Sequence, residues 1–479
     1  MARSDVFALI DRLTGEALDE RSKRQVKGIR TWVANDATGT LEWPTGVGKT
    51  RAATIAIRLL RRDVATRKVI VVVPRIVLKQ QWEKGLAALG MLENTEVWVI
   101  NSLIKKTRIE CSLLILDEIH RYAARTFAKV FDVIKPEPSI QRTHPFILGL
   151  TATLKRGDGK HTILAKEAPI IDRIPMLEAI KKQYVAPFQE FNLGVEMTIG
   201  DREIYRNLAE GYGYATDKFS GDFNTIKSVA QGGIEPRFYN NTYNEPIAVE
   251  YAKRMGWRGN GAYQAYQNKL YNRTVPKRER RSVWGGDDHP YAPRKLFIWA
   301  LMAFRYSRKI REFTSSYWAK TDVAEQILRA ITLKAITFGE LIAPAEELSK
   351  RIGDSVVLYH SKMKAKDRNE SLRRIEEDPA IRAILTARAM DEGVDLPTMQ
   401  LGVIMSRSAS QTQYLQRLGR IIRRHIFEDG TEKVSYIVNI YVKDTKDYHA
   451  LRAAQRPTQG TQRWIESVEE LLEAVHMAA

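Results

Sequence analysis

The sequence has very little cysteine and no long apolar segment. Cys111 is the one cysteine of the chain, which excludes an intrachain disulfide and a metal site built from several cysteines. A chain so poor in cysteine suits a reducing cytoplasm. The longest apolar runs, such as residues 296–304, are far shorter than the ~18 residues that a membrane span needs. The N-terminus also lacks the apolar core of a secretion signal. We therefore expect a cytoplasmic protein without membrane contact.

Positive charge, by contrast, is abundant. The 479 residues include 76 Lys and Arg against 57 Asp and Glu, which leaves a net charge of +19 and a pI near 9.7. Much of this excess lies in residues 236–320, which contain 17 Lys and Arg and 6 Asp and Glu together with 17 aromatic residues. Such an imbalance indicates a polyanionic partner, either nucleic acid or an anionic membrane face.

Short β-branched runs, each followed by a loop and a helical pattern, recur at both ends of the chain. They occur at residues 69–73, 97–100, 113–116 and 146–150, and again at 334–338, 356–359, 383–385, 401–405 and 434–442. Runs that are apolar on both faces are typical of parallel strands covered by helices. The pattern predicts two α/β domains at residues 1–180 and 321–455.

The remaining segments lack this pattern. Residues 181–320 contain few strand-like runs, so we expect a linker and a basic, aromatic-rich and largely helical insert between the two domains. Residues 456–479 are interpreted as a C-terminal amphipathic helix, because Trp464, Val468, Leu471 and Val475 fall on one stripe.

A glycine-rich loop opens the first helical pattern after Trp43. Its backbone N–H groups and the positive end of the helix dipole would face one point, as a phosphate site requires. Lys49 would reach the β- and γ-phosphates of ATP, and the Thr50 hydroxyl would bind Mg²⁺. Trp43 departs from the usual pattern, which has Gly or Ala there. The predicted phosphate-binding residues are Thr45, Gly46, Val47, Gly48, Lys49 and Thr50.

A second acidic signal follows at the end of the apolar run 113–116. Asp117 would hold Mg²⁺, and Glu118 would polarise the attacking water. An acidic cap between a strand and a helix would have the same sequence pattern. The preceding phosphate loop favours the metal site, and the two motifs together predict an ATPase.

These residues resemble motifs I and II of the superfamily 2 helicases, which are built from two RecA-like domains. Asp117-Glu118-Ile119-His120 resembles their Asp-Glu-x-His box. The segments that resemble motifs III, V and VI follow in the family order, at residues 151–153, 386–397 and 416–423. The resemblance implies two tandem RecA-like domains with ATP bound between them.

The resemblance also implies roles for single residues. Arg420 and Arg423, three residues apart on one helix face, would act as arginine fingers at the γ-phosphate. Coupling between ATP and nucleic acid would involve His120, Thr151, Thr153 and Gln416. Nucleotide contacts would come from Gln25, which would read adenine, and from Gly393 and Asp395 in a turn.

Nucleic-acid contacts are expected at strand ends and in the insert. The strand-end candidates are Pro74, Arg75, Asn101, Ser102, His360, Ser361 and Thr386. In the insert, Lys277, Arg278, Arg280 and Arg281 form a basic loop that would contact phosphates. The aromatic residues around it are interpreted mainly as the insert's own core. Trp82 and Cys111 are interpreted as core residues.

Within the superfamily, residues 148–159, 392–397 and 416–423 resemble the XPB-like branch, which includes repair helicases and phage helicases of the UvsW type. The expected function is an ATP-dependent DNA helicase or translocase that tracks 3′→5′ and unwinds or remodels branched DNA in replication, recombination or repair. A phage-encoded chain would act in the host cytoplasm. An RNA helicase and a double-strand DNA translocase that never separates strands remain alternatives. A nucleic-acid-binding protein with an inactive ATPase is disfavoured because Lys49, Asp117 and Glu118 are all present.

Overall fold

The computed structural model describes residues 19–62, 64–123, 125–153, 161–231, 250–252, 254–255, 293–387, 396–407, 410–458 and 462–476. The chain divides into two compact units. One contains the residues up to Val195 and from Ser315 onward, and the other contains Glu196–Thr314. Among the described residues, no helix is long and apolar enough to cross a membrane.

The first domain is a parallel six-stranded sheet with the order β3-β2-β5-β7-β1-β8. Its central strands are buried on both faces, as their uninterrupted apolar sequences predict. The strands are β1 (Thr38–Glu42), β2 (Val69–Val73), β3 (Thr95–Val99), β5 (Leu113–Asp117), β7 (Phe146–Thr151) and β8 (Ile170–Arg173), and β4 (Ile109–Cys111) and β6 (Ile134–Pro136) form a separate pair. The helices are α1 (Glu20–Ala34), α2 (Lys49–Arg61), α3 (Ile76–Ala88), α4 (Ile100–Leu103), α5 (Arg125–Ala128), α6 (Val130–Val133), α7 (His161–Glu167) and α8 (Met176–Lys181).

The second domain is a parallel seven-stranded sheet with the order β11-β12-β10-β13-β14-β9-β15. Its strands are β9 (Phe188–Val195), β10 (Ala335–Gly339), β11 (Val356–His360), β12 (Ala383–Ala387), β13 (Leu401–Ile404), β14 (Ser435–Val442) and β15 (Gln462–Ile465). The helices around it are α12 (Trp318–Ala330), α13 (Ile342–Ile352), α14 (Ala365–Glu377), α15 (Gln411–Ile421), α16 (Lys446–Ala454) and α17 (Val468–His476). Two parallel sheets covered by helices confirm the predicted fold class.

Two strands of this sheet come from segments that the sequence assigns elsewhere. β9 lies within the expected linker, yet it pairs with β14 on one side and β15 on the other. The apolar sequence of β9 is interrupted by Glu190 and Asn192, and both side chains are fully buried. Side chains of Asn439 and Gln455 donate hydrogen bonds to the Glu190 carboxylate, which makes these polar positions compatible with a core strand.

The C-terminal segment also differs from the single helix predicted for residues 456–479. A 3₁₀ turn at Arg456–Thr458 is followed by strand β15, and only Val468–His476 is helical. Trp464 therefore lies on an edge strand and not on the apolar stripe of a helix. Pairing with β9 satisfies the backbone of this segment, and that long-range contact overrides the local helical spacing.

The other unit contains helices α9 (Ile199–Asp217) and α10 (Phe223–Gln231) and most of α11 (Pro293–Ser315). Its core includes Phe219, which stacks on Tyr251 at 5.6 Å, and Leu296. Trp299 meets Tyr214 edge to face at 4.9 Å. The aromatic residues of the described part thus pack largely with one another. The predicted basic loop of Lys277, Arg278, Arg280 and Arg281 lies outside the described residues.

Candidate ATP site and nucleic-acid contacts

The phosphate loop connects β1 to α2. Gly46 and Gly48 adopt φ angles of 96° and 99°, a region that favours glycine. Lys49 is the first residue of α2, and its buried ammonium donates to the Trp43 carbonyl oxygen at 3.0 Å. Burial lowers the pKa of Lys49, and the Glu118 and Asp117 carboxylates oppose this shift. Thr50 is exposed at the start of the same helix. The sequence thus places a cation and a hydroxyl at one helix N-terminus.

Trp43, the residue that departs from the usual loop pattern, is fully buried beneath the loop. Gly28 of α1 makes room for it, because a Cβ on Gly28 would stand 2.1 Å from the indole ring. The indole nitrogen donates to Asp172 at 2.7 Å, and Arg24 forms an ion pair with the same carboxylate at 2.7 Å. The bulky indole of Trp43 is therefore accommodated by Gly28 and hydrogen-bonded to Asp172.

Helix α1 brings two polar side chains to the phosphate loop. Gln25 Nε2 donates to the Val47 carbonyl oxygen at 2.7 Å, and the Arg21 guanidinium donates to the carbonyl oxygens of Val47 and Gly46. Gln25 Oε1 is buried and has no hydrogen-bond partner within the described ranges. This oxygen can accept a hydrogen bond from an amino group, which is compatible with the predicted contact to adenine.

Asp117 and Glu118 follow β5 at the carboxyl edge of the sheet. Asp117 is buried and accepts hydrogen bonds from the Trp82 indole nitrogen at 2.9 Å and from the Glu118 backbone N–H at 3.0 Å. Burial and the neighbouring Glu118 carboxylate raise the pKa of Asp117. Burial also acts to raise the pKa of Glu118, but a hydrogen bond with His120 and the Lys49 charge outweigh it and lower that pKa. Glu118 is therefore the carboxylate kept ionised.

The Glu118 backbone is strained, with a φ of 51° in the left-handed region. Such a conformation costs on the order of 1–3 kcal/mol and persists only where surrounding contacts impose it. Here it follows directly after the buried strand residue Asp117. The strain accompanies a functional position, as is common at active sites.

His120 connects this acidic turn to the end of β7. Its Nδ1 lies 3.0 Å from the Thr151 hydroxyl oxygen and 3.3 Å from Glu118 Oε2. The Thr151 hydroxyl in turn donates to the Thr153 carbonyl oxygen at 2.8 Å. Three of the residues predicted to couple ATP to nucleic acid, His120, Thr151 and Thr153, thus lie in one continuous polar chain, whereas the fourth, Gln416, lies on α15.

Helix α15 packs its C-terminal end against the phosphate loop. The Ala186 backbone N–H donates to the Ile422 carbonyl oxygen at 2.8 Å, and a Cβ on Gly419 would stand 2.2 Å from Thr45 Cβ. Arg420 lies in the last turn of α15, whereas Arg423 follows the end of the helix at Ile421, so the two arginines do not share a helix face as predicted. Both are partly buried. Burial and the Arg21 charge lower the pKa of Arg423 to about 10. Gln416 is buried one turn earlier.

The two domains together therefore surround one point with opposite charges. Lys49 and Arg423 interact electrostatically there, and Asp117 and Glu118 face the same lysine. Burial penalises this concentration of cations unless an anion joins them. The arrangement suits the polyphosphate of a nucleotide.

The residues present also fit Mg²⁺ delivered with that polyphosphate. Thr50 follows Lys49 at the start of α2, and Asp117, whose charge acts on Lys49, is the last residue of β5. No group of three or more His, Cys, Asp and Glu in the described part of the chain could hold a metal ion. Mg²⁺ typically uses one or two protein ligands plus substrate phosphates and water, so a full protein cage is not required.

Other buried cations, missed at the sequence level, support α15. Arg417 Nη1 donates to the Ser406 carbonyl oxygen at 2.6 Å, and its guanidinium lies 5.6 Å from the Phe338 ring centroid. Lys433 Nζ donates to the carbonyl oxygens of Pro397, Met399 and Ile421, at 2.7, 3.2 and 2.7 Å. Each of these cations follows a polar residue, Gln416 or Glu432, so the local sequence carries no clear signal of their burial.

The candidate nucleic-acid residues lie at strand ends. Parallel strands bring their carboxyl ends to one edge of each sheet. Asn101, Ser102 and Arg75 are exposed there in the first domain, Pro74 is half-buried, and Ser361 is exposed in the second. His360 is buried, with Nε2 3.8 Å from Glu346 Oε1. Thr386 is also buried and donates to the Thr337 carbonyl oxygen at 2.6 Å, which uses its hydroxyl within the sheet. Gly393 and Asp395 lie outside the described residues.

Comparison with known proteins supports this description of the fold. The structure of S. cerevisiae Dbp5 bound to RNA and ADP BeF3 is similar, with a TM-score of 0.54 and 11% identity, covering 98% of this chain and 95% of that one. Residues 16–109 match the family described as "Type III restriction enzyme, res subunit", and residues 319–425 match the "Helicase conserved C-terminal domain".

Three relatives have names that describe a translocase or a helicase. The "DNA 3'-5' translocase XPB2" of Sulfurisphaera tokodaii is 25% identical over 89% of this chain and 83% of its own length. "Putative helicase 22" of a Sulfolobus islandicus filamentous virus is 23% identical over 25% of this chain and 22% of its own length. The XPB subunit of the general transcription and DNA repair factor IIH of Antonospora locustae is 27% identical over 29% of this chain and 20% of its own length.

The fold and the site define an ATPase with two RecA-like domains that acts with nucleic acid. The chain is similar to superfamily 2 helicases of the XPB type in its two matched domains and in its similarity to XPB2, which agrees with the resemblance seen in its motifs.

Proposed function

We propose that the protein is a Mg²⁺- and ATP-dependent DNA helicase or translocase that tracks 3′→5′ and remodels branched DNA in replication, recombination or repair. The observation that carries the proposal is the packing of the C-terminal end of α15, which contains Arg420 and is followed by Arg423, on the phosphate loop, because one ATP can then be held by both domains. The similarity to an archaeal DNA translocase over most of the chain supports DNA as the track. The buried thiol of Cys111 suits a reducing cytoplasm.

In this mechanism, the protein positions ATP and stabilises the charge that develops on the γ-phosphate. Lys49, Arg420 and Arg423 supply cations around the phosphate, and the loop backbone supplies N–H donors. Glu118, kept ionised beside Lys49, accepts a hydrogen bond from the attacking water and orients it. Mg²⁺, held by Thr50 and Asp117, would neutralise part of the phosphate charge when bound.

Coupling to DNA follows the polar chain from Glu118 through His120 to Thr151 and Thr153. A change at the γ-phosphate would alter the Glu118–His120 contact and pass to the end of β7. Exposed residues at strand ends, Asn101, Ser102 and Ser361 among them, would contact the sugar–phosphate backbone. Opening and closing of the two domains would then move the strand in steps.

The test is steady-state ATPase with no nucleic acid, single-stranded DNA, forked or four-way DNA, blunt duplex and RNA. We expect the strongest stimulation by single-stranded or branched DNA, followed by 3′→5′ unwinding of partial duplexes. The Lys49→Ala variant serves as the control for contaminating ATPases. Equal stimulation by blunt duplex would instead indicate a double-strand translocase, and stimulation by RNA alone would indicate an RNA helicase.

A further inference from the structure

A pocket outside the ATP site lies between α16, the following 3₁₀ turn and β15. Its volume is about 420 Å³. It is lined by His449, Arg452, Ala453, Gln455, Arg456 and Gln462. None of the residues assigned to ATP lines it, so its chemistry has to be explained separately.

The rim of this α16 pocket is cationic. His449, Arg452 and Arg456 are spaced three and then four residues apart, and all three are exposed. Within the described ranges, no carboxylate lies within ion-pair distance of Arg452 or Arg456, whereas other exposed arginines such as Arg373 are paired with glutamates. Neighbouring unpaired cations repel one another, and an anion between them relieves that repulsion.

The floor of the pocket is fixed by a buried network. The side-chain amides of Gln455 and Gln462 donate to the Glu190 carboxylate, which also accepts from Tyr414 and Asn439. These donors satisfy the Glu190 carboxylate, and the two glutamine amides are already used. A ligand in the pocket would therefore be bound by the arginines of the rim.

An aromatic surface adjoins the rim. Trp464 is 41% exposed, and the Arg452 guanidinium lies 5.7 Å from its ring centroid. Tyr441 and Tyr448 support the indole at 5.6 and 5.7 Å, which holds it in one orientation. An exposed, supported ring beside arginines is the combination with which proteins bind single-stranded nucleic acid: bases stack on the ring and phosphates pair with the cations.

We propose that the α16 pocket binds a phosphate group, and that this phosphate is a phosphodiester of a nucleic-acid strand with a base stacked on Trp464. A free nucleotide or pyrophosphate is the second source of the same group. The proposal deepens the proposed function, because it adds a contact for the strand beyond the helicase motifs. Arg452 and Arg456 are the cations that select a phosphate group in this pocket.

The first measurement is fluorescence anisotropy of a labelled oligo-dT strand at several salt concentrations, with Arg452→Gln/Arg456→Gln compared with the wild type. We expect about tenfold weaker binding and a salt slope that is less steep by about 1.4, since each single-strand phosphate contact contributes about 0.7. The matched control is Arg329→Gln/Arg373→Gln, which removes the same charge from arginines already paired with glutamates. This control should leave the slope unchanged.

The second measurement separates the two phosphate sources. Pyrophosphate is titrated calorimetrically into Lys49→Ala protein, in which the ATP site is disabled, with and without the two pocket substitutions. An altered salt slope identifies the phosphodiester. Loss of pyrophosphate binding with an unaltered slope identifies the free phosphate. If neither quantity differs from the control, the pocket does not bind phosphate and the proposal is overturned.

Trp464→Leu tests the stacking contribution without a change of charge. It should weaken oligo-dT binding about tenfold and leave the salt slope intact, whereas unchanged affinity would remove Trp464 from the contact. Basal ATPase without DNA should stay at the wild-type level in every pocket variant. If wild-type protein neither binds DNA nor responds to it, the proposed function fails, and the pyrophosphate titration still decides whether the pocket binds phosphate.

Discussion

Gly419 of the second domain lies directly against Thr45 of the phosphate loop, so closely that a Cβ on Gly419 would stand 2.2 Å from Thr45 Cβ. Carbon atoms that are not bonded to each other do not approach to that distance. Glycine at this position thus lets the arginine-bearing helix α15 reach the loop that holds ATP. The absence of a side chain at Gly419 is therefore required for the two halves of the ATP site to come together.

Gly419→Ala should therefore separate α15 from the phosphate loop. We expect ATPase activity to fall at least about tenfold, because small displacements of catalytic groups are costly. The matched control is Gly85→Ala in α3, where an added Cβ meets nothing within 4 Å. That variant should keep full activity and gain up to about 1 kcal/mol of stability. Equal activity of the two variants would show that the contact is not needed for hydrolysis.

Glu118→Gln should preserve binding of ATP and DNA but abolish most hydrolysis. The amide keeps the shape of the side chain but cannot accept a proton, so turnover should drop about 10²- to 10⁴-fold. Single-turnover hydrolysis and ATP binding are measured side by side. The control is Glu83→Gln, which changes a partly exposed glutamate paired with Lys79 on α3. Normal turnover in Glu118→Gln would remove this residue from the chemical step.

Trp82→Phe should impair the site through Asp117. The substitution keeps an aromatic ring in the core but removes the indole N–H that donates to Asp117 Oδ2. Hydrogen bonds to charged groups are worth about 1.5–3 kcal/mol, so we expect roughly tenfold lower ATPase and a higher Mg²⁺ requirement. Trp98→Phe removes a similar donor to Glu96 and is the control. Identical Mg²⁺ titrations for both variants would contradict this role.

Lys433 should make stability depend on pH. Burial and the Arg423 charge lower its pKa to about 7, from 10.5 in the unfolded chain. Between these values the unfolded state binds more protons, so stability rises with pH, by up to about 1.4 kcal/mol per pH unit. Below pH 7 both states are protonated and the contribution is constant.

The measurement is urea unfolding of wild type and Lys433→Met from pH 6 to pH 9. The stability of the wild type relative to the variant should be flat below pH 7 and increase above it. Lys362→Met, which removes an exposed lysine, should show no such trend. A difference that stays flat up to pH 9 would mean that the three carbonyl oxygens keep the Lys433 ammonium protonated.

Joint neutralisation of Lys277, Arg278, Arg280 and Arg281 should weaken DNA binding. We expect the salt slope to flatten by up to about 4 units, since each duplex phosphate contact contributes about 0.9. Anisotropy at several salt concentrations gives the slope directly. An unchanged slope would assign this loop to a solvated surface.

The ATP motifs could be predicted because each is local. The phosphate loop, the Asp117–Glu118 turn and the α15 arginines each lie within a few consecutive residues, and their chemistry follows from residue type and spacing. The role of Trp82 could not be predicted in the same way. Its apolar surroundings indicated the core correctly, but its hydrogen bond to Asp117 joins residues 35 positions apart.

The same limit explains the strands that sequence patterns missed. β9 contains the buried Glu190. Its carboxylate can be buried because Asn439 and Gln455, more than 240 residues later in the chain, donate hydrogen bonds to it. β15 has helical spacing and becomes a strand only because β9 offers an edge. Trp43 was recognised as a departure from the loop pattern, yet the explanation lies in Gly28 and Asp172.

The placement of β9 between β14 and β15 has a consequence for synthesis on the ribosome. A nascent chain released up to β14 has a complete first sheet, but its second sheet still lacks the strand at one edge. Residues 188–195 can pair with β14 and β15 only after more than two hundred further residues have been translated. Assembly of the second domain is therefore a late event in biogenesis, because its sheet is complete only once the segment through Ile465 has emerged.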